Sequence, residues 1–168
     1  IIMGIGGSAT NDGGAGMAEA LGVRFLDADG RSLKQGGIHL RSLAWIDVTG
    51  LDKRLDSVKL LVACDVQTLF VDAAPVFAPQ KGASPAQVDM LRGRLTRLAQ
   101  MYQEQYGVDV TNIPGTGAAG GLAGGLVALG GRLQPGFDLV ADELELHDHI
   151  VQADVVITGE GFLDEQSF

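Results

Sequence analysis

Three short, near-continuous apolar runs constrain this chain more than any other feature, and two of them pass straight into glycine loops. They occupy residues 1–5, 60–66 and 154–158. None alternates apolar and polar side chains, so each is expected to be a strand covered on both faces, as in a parallel α/β sheet. Glycine makes up 25 of the 168 residues, about twice its usual share of ~7%. Six of these glycines fall within 4–16, eight within 115–131, and two at 159 and 161. A flexible linker would not gather them so tightly. The clustering predicts loops that join strands to helices.

Between the apolar runs lie helix signals. Residues 85–106 predict the clearest helix: Ser84 can cap it, Pro85 suits its first position, and Gly107 can end it. Val88, Leu91, Leu95, Leu98 and Tyr102 recur every three or four residues and define its buried face. Arg92, Arg94 and Arg97 lie off that stripe, as residues of a solvated face. A second helix is expected over 14–21, ending at Gly22, and a third over 118–129. Four glycines inside the third require close approach by another backbone or by a ligand, since each otherwise costs ~1 kcal/mol relative to alanine. Residues 46–51 read as a strand or turn. Alternating strands and helices point to an α/β fold with a mixed or parallel sheet covered by helices.

Composition narrows the function classes. With 46% apolar and 20% charged residues, the chain is neither disordered nor fibrous, and its length suits one domain with a sizeable core. No apolar run approaches the ~18 residues of a membrane span. Residues 1–132 are neutral, with 12 basic and 12 acidic side chains, so residues 133–168, with nine acids and no Lys or Arg, carry the whole net charge of −9. A basic nucleic-acid surface is therefore not expected. A single cysteine, Cys64, rules out a disulfide framework and fits a reducing cytoplasm. The first and last residues both fall in or beside glycine loops, so the chain is expected to be an internal piece of a longer protein.

Two loops and a set of acids can carry chemistry. In Gly4-Ile5-Gly6-Gly7-Ser8-Ala9-Thr10-Asn11-Asp12-Gly13-Gly14 a strand enters and a helix leaves. Glycines let backbone N–H groups turn toward an anion, and Ser8 and Asn11 add side-chain donors. Asp12 could accept a proton or hold a cation; a tight turn and capped helix is the competing reading. Pro114-Gly115-Thr116-Gly117-Ala118-Ala119-Gly120-Gly121 contains a literal G-x-G-x-x-G, but no clear strand precedes it. Neither loop has a Gly-Lys-Ser/Thr ending, so an ordinary P-loop is excluded. Asp65, Glu160 and Asp164 stand at or after strand ends, where ligands of open α/β sheets bind. Carboxylates there suit Mg²⁺ or a general base, with turn or helix capping as the alternative. Lys81, between turn residues, could neutralise a phosphate or carboxylate. His147 and His149 flank Asp148 and read as surface residues rather than ligands.

In combination these segments resemble the bacterial glycerate kinases. The resemblance is carried by the 4–17 loop and by Val62-Ala63-Cys64-Asp65-Val66, Pro79-Gln80-Lys81-Gly82-Ala83, and the 114–122 loop. Val156-Ile157-Thr158-Gly159-Glu160-Gly161, with Leu163-Asp164 and Gln166-Ser167, completes it, all in the family's order. It implies transfer of the ATP γ-phosphate to a hydroxyl of D-glycerate, giving 2-phosphoglycerate, with Mg²⁺, in a cytoplasmic enzyme compatible with homo-oligomers. It also implies two α/β domains, this chain being mainly the central inserted one and inactive alone. The expected catalytic residues are Asp65, Asp164 and Lys81. Gly6, Gly7, Ser8, Asn11, Asp12, Gly115, Gly117, Gly159, Glu160 and Gly161 would bind the cofactor, and Asp65 and Glu160 the metal. Two rivals remain: a dinucleotide-binding oxidoreductase domain using 4–9 or 115–120, and a non-catalytic kinase remnant, suggested by Phe162 where the family has arginine.

Overall fold

Local signals suffice to start and stop the longest element. In the computed structural model, which describes residues 1–159, helix α3 runs from Pro85 to Tyr106. Ser84 Oγ accepts the Gln87 N–H at 3.4 Å, and Gln87 Oε1 accepts the Ser84 N–H at 2.8 Å, a reciprocal capping box. Gly107 ends the helix at φ 67°, a left-handed position that favours glycine. Its inner face carries Leu95, Leu98 and Tyr102 as expected, with Ala99 and Met101 beside them. Ser84→Ala is expected to cost ~1 kcal/mol; urea unfolding of the two proteins side by side reads this directly.

The first two apolar runs become strands, each only three residues long. β1 (Ile2–Gly4) and, later in the chain, a strand over Leu61–Ala63 pair in parallel, with Ile2 opposite Leu61. A small antiparallel ribbon lies between them in sequence: β2 (Arg24–Leu26) against β3 (Trp45–Asp47), so Leu61–Ala63 is β4. β4 is the centre of the parallel sheet, because β5 (Arg132–Gln134) pairs along its other edge, with Leu61 opposite Arg132. Burial differs from expectation. Met3, Val62 and Leu133 pack with Met17, Leu122 and Leu126 on one side, whereas Ile2 on the other stays half exposed.

The third apolar run departs further. Residues 154–158 form no strand, and Ile157 is 94% exposed. A strand needs a neighbour for its backbone groups, and residues 154–158 pair with none among the described residues, while β5, which composition alone did not mark, pairs with β4.

The main core lies between α3 and the ribbon. Phe25 and Ile46 point into it, meeting Leu95, Leu98 and Tyr102. The end of α3 is tied to β3, since Gln105 Oε1 accepts the Ile46 N–H at 3.0 Å and Tyr106 Oη donates to the Ile46 carbonyl. α1 (Ala15–Ala20) and α2 (Ala73–Phe77) flank this core.

The expected third helix is broken. Ala118–Gly121 form a 3₁₀ turn in which Ala119 (φ 56°) and Gly120 (φ 72°) are left-handed, and α4 begins only at Leu122, running to Ala128. Its glycines answer the question of what comes close. A Cβ on Gly120 would fall on the Thr10 carbonyl oxygen. Cβ atoms on Gly121 and Gly125 would lie 2.8 Å from Gly13 Cα and 2.5 Å from Gly13 O. One glycine loop therefore packs directly on the other. α5 (Gly136–Glu143) and α6 (Leu146–Gln152) follow β5. Among the described residues, no helix is long and apolar enough to cross a membrane.

Candidate functional site

The loop from β1 to α1 divides into an anchored half and an open half. Asp12 is buried; its Oδ1 accepts the Gly14 N–H at 3.0 Å and its Oδ2 the Gly16 N–H at 3.1 Å. It thus satisfies donors at the start of α1. The Gly13 N–H donates to the Gly120 carbonyl at 3.1 Å, and Asn11 Nδ2 to the Ala73 carbonyl at 3.3 Å. Gly6 and Gly7 are different: a Cβ on either would meet nothing within 4 Å. Their backbone is bare toward open space.

Gly6, Gly7 and Ser8 border a cavity of 350 Å³ at the carboxyl ends of β1 and β4. Asp65, two residues beyond β4, borders the same cavity, as do Ala118 and Ala119 of the second glycine loop. Asp65 Oδ1 accepts the Gly136 N–H at 2.7 Å, so the carboxylate also caps α5. Of the two readings of this residue, the structure shows the capping one. Carboxylate, bare glycine backbone and strand ends lie together, the arrangement expected of an α/β ligand site.

Lys81 closes the Pro79–Lys81 3₁₀ turn, followed by Gly82 at φ 90°. Its Nζ donates to Ser8 Oγ at 2.8 Å and to the Thr10 carbonyl at 2.6 Å. An ammonium has three donors, so one remains, and no carboxylate of the described residues forms an ion pair with it. Burial pulls its pKa below the ordinary lysine value, and the nearby Asp12 charge opposes that shift. Beyond Lys81 lies a second cavity, of 280 Å³, reached also by Asn11 and Gln87.

The remaining expected residues are not gathered there. Gly115, at φ 90°, stands behind the wall, where a Cβ would lie 3.0 Å from Cys64 Sγ. Gly117 is buried; its N–H donates to the Thr68 carbonyl at 2.9 Å, and a Cβ would fall on the Leu69 oxygen. Gly159 is exposed. Glu160, Gly161 and Asp164 lie outside the described residues, as does Phe162. Among the described residues no group of three His, Cys, Asp or Glu side chains is placed to hold a metal, and His147 and His149 are exposed on α6.

The literal G-x-G-x-x-G at 115–120 follows no strand. Its second and third glycines are filled by the Leu69 and Thr10 carbonyls, which leaves no room there for a pyrophosphate. Two contributors escaped the sequence reading. Ala119 borders the cavity in a left-handed conformation rare for alanine. Fully buried Thr116 donates its hydroxyl into the 110–113 segment, 2.8 Å from the Val110 and Ile113 carbonyls. Ala119 was hidden in the Gly117-Ala118-Ala119-Gly120 run, and Thr116, between Gly115 and Gly117, carried no periodic signal.

Comparison with known proteins agrees from end to end. The model of the glycerate kinase family matches residues 1–168. The glycerate kinase of Halalkalibacterium halodurans is 50% identical over 171 residues, covering 99% of this chain and 45% of the relative. The glycerate 2-kinase of Escherichia coli is 47% identical with the same coverage. A crystal structure from Salmonella typhimurium LT2, assigned as glycerate kinase 2, superposes with TM-score 0.91 at 50% identity, covering 99% of this chain and 46% of that one. The chain thus spans about half the length of the curated relatives it matches.

Proposed function

The chain belongs to the glycerate kinase family, and from that premise we propose that the whole protein transfers the γ-phosphoryl group of ATP to a hydroxyl of D-glycerate, giving 2-phosphoglycerate. The observation that carries this reading is the cavity shared by Gly6, Gly7, Ser8 and Asp65, with Lys81 hydrogen-bonded to its rim. Phosphoryl transfer requires positioning and charge neutralisation more than covalent chemistry. Bare glycine N–H groups and an ammonium that has no ion-pair partner among the described residues supply donors for phosphate oxygens. Asp65 is the group in reach to orient an acceptor hydroxyl or to hold a cation.

Mg²⁺ suits this donor set. Asp65 Oδ1 is taken by Gly136, while Oδ2 has no hydrogen bond among the described residues. Kinase Mg²⁺ commonly rests on one or two carboxylates together with phosphate oxygens and waters. When bound, the ion neutralises charge developing on the transferred group. Glu160 and Asp164, with Gly159 and Gly161, are assigned to the same site, and Asn11, Asp12, Gly115 and Gly117 to the support of its two loops. We place this chain as the central inserted domain of a two-domain cytoplasmic enzyme, inactive by itself.

Asp65→Asn in the whole protein is expected to lower kcat about 10²–10³-fold, the scale of losing one electrostatic element of an active site. ATP-dependent phosphorylation of D-glycerate, with the product identified by NMR, checks both the reaction and the hydroxyl. Absence of that activity in the whole wild-type protein sinks the reading. Normal turnover by residues 1–168 alone sinks the claim that this part is inactive. The dinucleotide alternative is tested in the same preparation by NADH titration, with no saturable binding expected.

A further inference from the structure

Folded proteins expose single apolar side chains freely, but seldom gather them. Of the 16 large apolar side chains that stand exposed among the described residues, eight fall within residues 137–157. Helix α5 has two apolar sides. It packs against β4 and buries Leu139, while Phe137, Val140 and Leu144, spaced by three and four, remain exposed. A helix apolar on both sides belongs between two layers, and the described residues supply one. α6 goes further: it packs on α5, buries no residue, and leaves Val151 70% exposed. Seven residues of helix are marginal in water without a packed face.

Beyond α6, residues 154–158 (Asp-Val-Val-Ile-Thr) make no backbone hydrogen bond to another described residue. Their β-branched side chains suit a strand. The outer edges of β1 and β5 are both free in the parallel sheet, yet this segment takes neither. Charge on the same stretch is one-sided. Asp138, Asp142, Glu143, Glu145, Asp148 and Asp154 are all exposed, and residues 133–168 contain no Lys or Arg. None of the six forms an ion pair among the described residues.

We infer that the exposed side of α5, α6 and residues 154–158 form the surface on which the other half of the whole protein docks. In that assembly 154–158 pairs as a strand of a sheet supplied by the other half, and Lys or Arg side chains from it meet the acids. The occupant follows from length and charge. More than half of each curated relative lies outside the part this chain matches, so a covering segment of ample size exists within the same polypeptide. A second copy docking by this face would set six acids against six. The inference rests on placing this chain within a longer enzyme, and on no step of the reaction.

The test uses the whole protein. Hydrogen exchange followed by mass spectrometry should find the amides of 155–158 exchanging at least about 10²-fold more slowly than free peptide. Ile157→Asp and Val151→Asp should each lower Tm by about 5 °C or more, because the charge is buried on docking. Val76→Asp, at a residue of α2 that is 52% exposed, should lower it by about 2 °C or less. Carbodiimide joins carboxylates to lysines in contact, and the lysines of residues 1–168 are Lys34, Lys53, Lys59 and Lys81. Links from Asp142, Glu143 or Asp148 are expected to reach lysines outside residues 1–168 of the same polypeptide.

Unprotected amides at 155–158, equal shifts in all three variants, or links confined to those four lysines overturn the inference. Protection that fades on dilution assigns the surface to a second copy, and overturns it too. Each of these results in a protein that phosphorylates D-glycerate leaves the kinase reading intact. Protection and outward links in a protein inactive on D-glycerate overturn that reading and leave this surface standing.

Discussion

Gly120→Ala is expected to destabilise the protein by roughly 3–5 kcal/mol, the largest single effect on stability among these positions. Two costs combine. The residue sits at φ +72°, where an L side chain is strained, and its Cβ would fall on the Thr10 carbonyl oxygen and within 2.9 Å of Asn11 Cα. Those neighbours are backbone, so no rotamer change relieves the clash. The Gly120 carbonyl also accepts the Gly13 N–H, so displacing it loosens both glycine loops together. Gly93→Ala supplies the contrast. Gly93 lies inside α3 with nothing within 4 Å of its Cβ position, and alanine there should stabilise by about 0.5–1 kcal/mol. Urea unfolding of both variants beside the parent reads the two signs; equal and small changes would contradict the packing described here.

Lys81→Met is expected to lower kcat/KM of the whole protein about 10²–10³-fold, because it removes the ammonium proposed to meet the phosphate oxygens. Lys81→Arg should recover part of the loss, since it keeps the charge in a different shape. The pH profile separates charge from shape. Burial lowers the Lys81 pKa, so activity that needs the ammonium should fall on an alkaline limb below the ~10.4 of an ordinary lysine, and that limb should vanish in the arginine variant. Stability moves the opposite way. A lysine whose folded pKa lies below its unfolded one pays for its charge in the native state, and stability rises as pH climbs from the folded to the unfolded value. Activity and stability should therefore diverge across the same pH window. Their falling together would point to unfolding rather than to loss of a proton.

Much of the architecture could be read from residues in line, and what could not has a common cause. α3 announced both its ends because Ser84, Pro85 and Gly107 act within one turn of the backbone they cap. β5 did not, since three residues become a strand only by pairing with β4, some 70 positions earlier in the chain. Residues 154–158 are the converse, apolar enough for a strand but without a partner among the described residues. In the site, Gly6, Gly7, Ser8, Asp65 and Lys81 were marked by their place after strands and between turn residues, and they do come together. Glycine is ambiguous by nature. Gly117 and Gly120 look the same in sequence whether a phosphate or another carbonyl occupies the space, and here it is a carbonyl. The second cavity left no trace in sequence order, because Ile38, Lys81 and Met90 meet only after α3 has folded over the loops.

The bond from Gly136 N–H to Asp65 makes the start of α5 an observer of the cavity. Whatever draws on that carboxylate, whether a proton, a cation or the loss of charge in asparagine, changes the field at one identifiable amide. In an isotope-labelled sample the Gly136 resonance therefore serves as a local gauge of what Asp65 is holding, readable without any turnover.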